Sequence, residues 1–203
     1  MKKLFPFLLA FVCMISFSCA WYGSKVLVHQ TKSCVVTVVI CDSEGKKIKQ
    51  GSGFFIDDIG GLATSAYLIR GASKIRVYEG DTKGKFLTAR VINPYLRNGI
   101  SVLQLPGKWG TSVRFDFTYI PTIGDKVVAI GMRGNGQTAS EGVIVGFKDF
   151  QGKKYIEFSG VVSEESTGAP LLNMEGKVIG VVDCEMNSIS KSEKSSFALK
   201  FHK

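Results

Sequence analysis

Short apolar runs of strand length recur along this chain at intervals of about 8–15 residues, with Gly- or Asn-containing turns between them. The clearest is Cys34–Cys41 (CVVTVVIC), β-branched almost throughout and closed by the turn sequence Asp42-Ser43-Glu44-Gly45. Gly53–Ile56 is a second run, ended by Asp57-Asp58-Ile59-Gly60-Gly61. Further runs fall at Lys74–Tyr78, Phe86–Ile92, Ile100–Leu105, Lys126–Ile130, Glu141–Phe147, Lys154–Phe158, Pro170–Leu172, Val178–Val182 and Ser196–Lys200. No stretch of 12 or more residues carries an apolar period of 3.6. The pattern therefore predicts an all-β chain, a sandwich or barrels built from hairpins. Leu105-Pro106-Gly107-Lys108-Trp109-Gly110 breaks the series into two halves of similar size.

The first 20 residues follow a different logic. Lys2 and Lys3 precede an apolar run of 14 residues, Leu4 to Phe17. A bilayer span needs roughly 20 residues, so this run has the size and flanks of a secretory signal peptide, expected over residues 1–20. Two processing outcomes stay open. Ser18-Cys19-Ala20 suits simple cleavage before Trp21, whereas Ser16-Phe17-Ser18-Cys19 resembles a degraded lipobox that would leave a lipid anchor on Cys19. An uncleaved N-terminal anchor is the third reading. Export is the expectation: to the periplasm or cell envelope, lipid-anchored there, or secreted.

Composition narrows the chemistry. At 203 residues, one compact domain or a pair of small subdomains is expected. The 45% apolar and 21% charged content excludes disorder, and 23 glycines against 5 prolines suits many tight turns. The formal charge of +9 counts Lys2 and Lys3; without them 24 basic residues face 17 acidic ones, giving +7. The lysines are scattered (Lys46, Lys47, Lys49; Lys153, Lys154; Lys191, Lys194) and no arginine cluster is interleaved with aromatics, which argues against nucleic acid as partner. After the signal the cysteines are Cys34, Cys41 and Cys184. Cys34 and Cys41 on one strand stand more than roughly 20 Å apart and cannot pair; an approach of Cys184 to Cys41 is left open. There is no Cys-x-x-Cys pair, so no zinc site is expected. Gly131-Met132-Arg133-Gly134-Asn135-Gly136 lacks the Lys-Ser/Thr of a phosphate cradle, and no cofactor is expected. The two histidines, His29 and His202, lie near the chain ends, and both read as surface residues. Glu164-Glu165 and Asp57-Asp58 read as solvated turn charges.

Several segments in order carry a family resemblance. Gly51-Ser52-Gly53-Phe54-Phe55-Ile56 followed by Gly61-Leu62-Ala63-Thr64-Ser65-Ala66-Tyr67 resembles the Gly-Ser-Gly-Phe strand and Thr-x-x-His of trypsin-like serine peptidases of the Deg/HtrA type. Asn98-Gly99-Ile100-Ser101-Val102-Leu103 resembles that family's Asp-hydrophobic-Ala-Val-Leu segment. Glu165-Ser166-Thr167-Gly168-Ala169-Pro170-Leu171-Leu172-Asn173 is similar to its Gly-Asn-Ser-Gly-Gly-Pro-Leu-hydrophobic-Asn. Gly124–Gly131, Gly176–Val181 and Ser196–Leu199 stand where its flanking strands would, so the likeness runs from about residue 33 to 200. The resemblance implies two six-stranded antiparallel β-barrels, trypsin/chymotrypsin-like, with a site in the cleft between them. It divides the chain into a first barrel over 24–106, a linker over 107–118 and a second barrel over 119–203, with no PDZ domain expected.

The same resemblance places Tyr67 at the base position, Gly99 at the position of the orienting carboxylate and Thr167 at that of the nucleophile. Glu165 falls where a glycine N–H would complete an oxyanion hole. A phenol, ordinarily neutral at pH 7, does not replace imidazole as a base, and glycine orients nothing. A carboxylate beside an oxyanion has the wrong sign. A one-residue slip offers Asn98 or Ser166 but restores no histidine. The expectation is a pseudopeptidase with no catalytic residues. It would bind a peptide or protein of the cell envelope, by strand pairing at Val181, Val182 and Asp183, or serve as a scaffold there. The alternative is an active endopeptidase using Thr167 or Ser166 with a tyrosine or lysine.

Overall fold

The computed structural model describes residues 25–31, 33–80, 82–107, 110–115, 118–134, 136–190 and 194–201. The signal peptide, Cys19 and His202 lie outside these described residues. A helix, α1 (25–31), leads into thirteen strands. The first six are β1 (Val35–Cys41), β2 (Lys47–Phe55), β3 (Gly61–Ser65), β4 (Lys74–Tyr78), β5 (Phe86–Leu96) and β6 (Ile100–Gln104). They close into a barrel in the order β1-β2-β3-β6-β5-β4. After β7 (Arg114–Phe115) come β8 (Lys126–Arg133), β9 (Gly136–Phe150), β10 (Lys153–Phe158), β11 (Pro170–Asn173), β12 (Lys177–Val182) and β13 (Ser196–Lys200). The order β11-β8-β9-β10-β13-β12 closes through the β11–β12 pairing, giving a second six-stranded antiparallel barrel.

The near-continuous apolar runs of β1 and β8 follow from this architecture. Successive side chains on a strand face opposite ways, and here both faces are covered. Val36, Val38 and Ile40 fill the first barrel with Phe55, Leu62 and Leu103, while Val127 and Ala129 of β8 fill the second with Ile156 and Phe158. Their neighbours Val35, Val128, Ile130 and Met132 turn instead into a layer between the barrels, which also takes Phe54, Tyr155 and Phe197. The described chain thus builds three large apolar clusters and a smaller one of Val39, Cys41 and Tyr78.

The segment expected as a linker carries structure of its own. The Thr111 and Val113 N–H groups donate to Ser33 and Phe55 of the first barrel, and Arg114–Phe115 pair in parallel with Lys177–Val178 of β12. Gly110, with φ +67, lies so close to the Phe55 ring that a Cβ would sit 2.2 Å from it. Two short helices interrupt the strands near the junction of the barrels: α2 (Ala66–Ile69) after β3, and α3 (Cys184–Ser190) after β12. At four and seven residues they are too short for an apolar period to reveal. All three cysteines of the described chain are buried free thiols, so Cys184 and Cys41 are not paired.

Candidate functional site

A cleft of about 360 Å³ is bounded by β2 and α2 of the first barrel and by the Glu164–Ser166 turn and α3 of the second. Tyr67, Glu164, Glu165, Thr167, Lys49 and Cys184 are among its lining residues, and no histidine is. Tyr67 and Thr167, far apart in sequence, therefore share one cleft as the motif order implies. His29 instead lines a different hollow, with Glu79 and Gln137.

Tyr67 is placed by its cap. The Ser65 side chain accepts the Tyr67 N–H at 3.1 Å and starts α2, while Leu68 and Ile69 bury themselves behind it. The Tyr67 ring has two cations over it: the Lys49 ammonium 4.8 Å and the Arg70 guanidinium 5.5 Å from its centroid. Arg70 also reaches Glu185 at 3.1 Å, and Glu185 holds the Lys153 ammonium at 3.1 Å on its other oxygen. Burial works to raise the Glu185 pKa, but Lys153 and Arg70 outweigh it and hold the carboxyl below its ordinary value.

Gly99 does not line the cleft. It has φ +78, and a Cβ there would meet Cε of Lys153 at 3.0 Å. The lysine stem thus fills the space beside the position where the resemblance expects a carboxylate. Asn98, with φ 67, is committed elsewhere: its side-chain amide donates to the Lys154 and Lys200 carbonyls at 2.8 and 2.7 Å, and its oxygen accepts the Lys154 N–H. Asn98 therefore ties the turn before β6 to β10 and β13 of the second barrel.

Around Thr167 the backbone decides what the site offers. Glu164–Ser166 form a 3-10 turn in which the Thr167 N–H donates to the Glu164 carbonyl at 3.0 Å and the Ser166 N–H to Ser163 at 2.9 Å. The Thr167 carbonyl accepts the Ser52 N–H at 2.7 Å. Buried Ser52 ties the turn down further, its hydroxyl donating to the Glu165 carbonyl at 2.8 Å and accepting the Met132 N–H at 2.9 Å. The Glu165 carboxylate accepts the Gly134 N–H at 2.6 Å. Gly168, with φ +91, has no room for a Cβ, which would sit 2.1 Å from the Ser52 carbonyl oxygen. Ser166 is buried under β8, its hydroxyl 3.2 Å from that of Ser163. Burial pushes the Cys184 thiol up to about 11 against a hydrogen bond with Thr167, so the thiol stays protonated at pH 7.

The strand expected to pair with a peptide is already paired on both sides. Val181 lies opposite Leu199 of β13 and Pro170 of β11. The Val182 N–H donates to the Ala169 carbonyl and its own carbonyl accepts from Gly168, both at 2.8 Å; the Asp183 N–H donates to Phe197 at 3.0 Å. No donor from Val181, Val182 or Asp183 is left for β-augmentation, because β12 is an interior strand of a closed barrel. Asp183 matters through its side chain instead. Fully buried, its carboxyl accepts from the Ser65 hydroxyl and the Tyr155 phenol, each at 3.3 Å. Burial pushes its pKa up, opposed by Lys153 and reinforced by Glu185; burial and Asp183 together push Tyr155 up as well.

Asp183, Lys153, Glu185, Arg70 and Lys49 carry the electrostatics here, yet among them only Asp183 stood out in the sequence, and for its backbone. The one signal for its side chain was an acid directly after the apolar run Val178–Val182.

Two closed antiparallel barrels with a cleft at their junction define the architecture of the trypsin-like peptidases. The family pattern described as "Trypsin-like peptidase domain" matches residues 51–181, and the chain belongs to that family. Among curated relatives it is 30% identical over 159 residues to the anti-sigma-I factor RsgI9 of Acetivibrio thermocellus, covering 72% of this chain and 21% of that protein. It is 31% identical over 140 residues to a "Probable periplasmic serine endoprotease DegP-like" of Rhizobium meliloti, covering 65% and 27%. The chain thus spans between a fifth and a third of these relatives' length. A crystal structure of the serine endoprotease from Yersinia pestis superimposes with a TM-score of 0.71 at 23% identity, over 86% of this chain and 61% of that one, a likeness of fold.

Proposed function

We propose that this chain is an exported, catalytically inert trypsin-like peptidase homologue that holds an extended peptide in the cleft between its barrels. The observation that carries the first half is the Thr167 N–H: it donates to the Glu164 carbonyl, so the backbone donor that would polarise a scissile carbonyl is spent inside the turn. Tyr67, in the same cleft, lies under two cations, and Gly99, outside it, has the Lys153 stem against it. Neither gives Thr167 a base or gives a base an orienting carboxylate. Export is supported by the signal-like residues 1–20 and by the relative named periplasmic.

Peptide binding is supported by an open strand edge. β2 pairs with β1 along its length but with β3 only at Phe54 and Phe55, so Lys47–Gln50 border the cleft with one edge unpaired. The Ser52 N–H points away from β1 to reach Thr167, and by the alternation of strand donors the Gln50 N–H points the same way.

The test has two arms. Mature protein is incubated with a fluorophosphonate probe and with unfolded casein; no labelling and no cleavage are expected. Labelling that disappears in Thr167→Ala or Ser166→Ala establishes an endopeptidase with an unorthodox site and sinks the inert reading. For binding, Gln50→Pro removes one donor from an edge that forms no ladder there, so folding is retained. Peptide affinity is expected to fall roughly tenfold, as for a lost backbone hydrogen bond with its buried partner unmet. Unchanged affinity in a folded Gln50→Pro variant rejects β2 as the docking edge.

A further inference from the structure

Resting on that reading of the cleft, we infer that its occupant is an acidic peptide, selected by Lys47 and Lys49 on the open edge of β2. Among the described residues, the charges around the cleft divide by barrel. On the second barrel's side Glu185 is paired with both Arg70 and Lys153, while Glu165 accepts the Gly134 N–H, which directs its carboxylate towards that loop without cancelling its charge. Glu164 alone stands exposed at the rim. On the first barrel's side the balance is the opposite. The Lys49 ammonium faces only the Tyr67 ring, at 4.8 Å, and the Lys47 ammonium donates only to the neutral Gln50 side chain, at 2.6 Å. Neither has a carboxylate within ion-pair distance. Both flank the open backbone edge, so a strand laid there brings its side chains to these ammonium groups. Lys46 next to them extends the same sign.

A peptide carrying Asp or Glu neutralises both lysines, whereas a basic peptide meets like charge. Ile48, 50% exposed, lies between the two lysines in sequence, at the β-bulge of β2 against β1. The chemistry that fits the two lysines is an extended, acidic segment.

The experiment selects displayed random ten-residue peptides on the mature protein, with Gln50→Pro and Lys47→Glu/Lys49→Glu as parallel baits. Binders lost on Gln50→Pro are sequenced, synthesised and titrated by fluorescence anisotropy. Enrichment of Asp and Glu is expected, with affinity falling about tenfold or more on Lys47→Glu/Lys49→Glu and falling as salt is raised. The charge-reversed bait should enrich Lys and Arg instead. Edge-dependent binders that are neutral in charge, and equally tight on the charge-reversed bait, overturn the acidic inference while leaving the peptide cleft standing. Absence of any edge-dependent binder overturns both. Inorganic polyphosphate added as competitor distinguishes the source of charge: displacement by polyphosphate at matched charge, stronger than by acidic peptide, assigns the lysines to a polyanion and overturns the peptide.

Discussion

Asp183 shows how a single residue records the conflict between burial and charge. Its carboxyl has no exposed surface, and three donors reach it at 3.3 Å: Ser65 Oγ, the Tyr155 phenol and the Glu185 N–H. Lys153 faces it with a positive charge and Glu185 with a negative one. Burial wins, and the pKa lies above the ordinary 3.8. The fold therefore favours the neutral acid. That contribution is fully present below the unfolded value and is lost as pH rises through the folded one. Asp183→Asn fixes the side chain in a neutral form that still offers an acceptor. The variant should be more stable than the parent at pH 7, with the gap closing as pH falls and the parent's carboxyl takes up its proton. Urea unfolding followed by circular dichroism at a series of pH values measures this. A variant less stable than its parent at pH 7 means that the ionised form is the one the network holds.

At the scale of elements, the turn Arg97–Gly99 joins the barrels through Asn98. Asn98→Ala loses the side-chain bonds to Lys154 and Lys200 and leaves a Cβ residue at φ 67. Together these should cost about 2–3 kcal/mol. Asn98→Gly removes the same bonds without the backbone penalty and should recover about 1 kcal/mol of that loss. Equal midpoints for the two variants in thermal unfolding would assign the whole effect to the side chain. Which elements were legible follows from their length and covering. β1 and β8 are β-branched and covered on both faces, so the chain had to be apolar there, and the runs stood out. β3 is five residues of Gly-Leu-Ala-Thr-Ser, too small and mixed to show a period, and was visible only as part of a motif. β7 has two residues and exists by pairing with β12. β9 extends to 15 residues because its two halves pair with different neighbours, β8 and β10, which alternation along one strand does not encode. In the site, the identities at 67, 99 and 167 could be read from motif spacing. Lys153 against Gly99, and the two cations over Tyr67, depend on long-range contacts that no local pattern carries.

For the whole molecule, the inertness proposed above can be tested by placing at four positions the residues that the resemblance calls for. The substitutions are Tyr67→His, Gly99→Asp, Thr167→Ser and Glu165→Gly. Each supplies an identity that the resemblance calls for, and each meets a surrounding adapted to its absence. An aspartate at 99 sits at φ +78, where its Cβ meets Cε of Lys153 at 3.0 Å. A histidine at 67 inherits two nearby cations, Lys49 and Arg70, which disfavour the imidazolium that a general base becomes. A serine at 167 keeps the N–H that donates to Glu164, and the Ser52 hydroxyl continues to hold the 165 carbonyl. Loss of one oxyanion donor alone costs on the order of 10²–10³ in turnover. We therefore expect the quadruple variant to fold and to hydrolyse unfolded casein no faster than the parent. Adding Lys153→Ala frees the space beside residue 99 but leaves the Thr167 turn as it is, so the quintuple variant should remain inert as well. Release of fluorescent peptides from labelled casein checks both. Turnover by the quadruple variant would mean that the Glu164–Ser166 turn re-forms around a substrate, and would place the barrier to catalysis in the side chains. Inertness of both variants agrees with the proposal that the Glu164–Ser166 turn, through its backbone hydrogen bonds, withholds the Thr167 N–H from a substrate carbonyl.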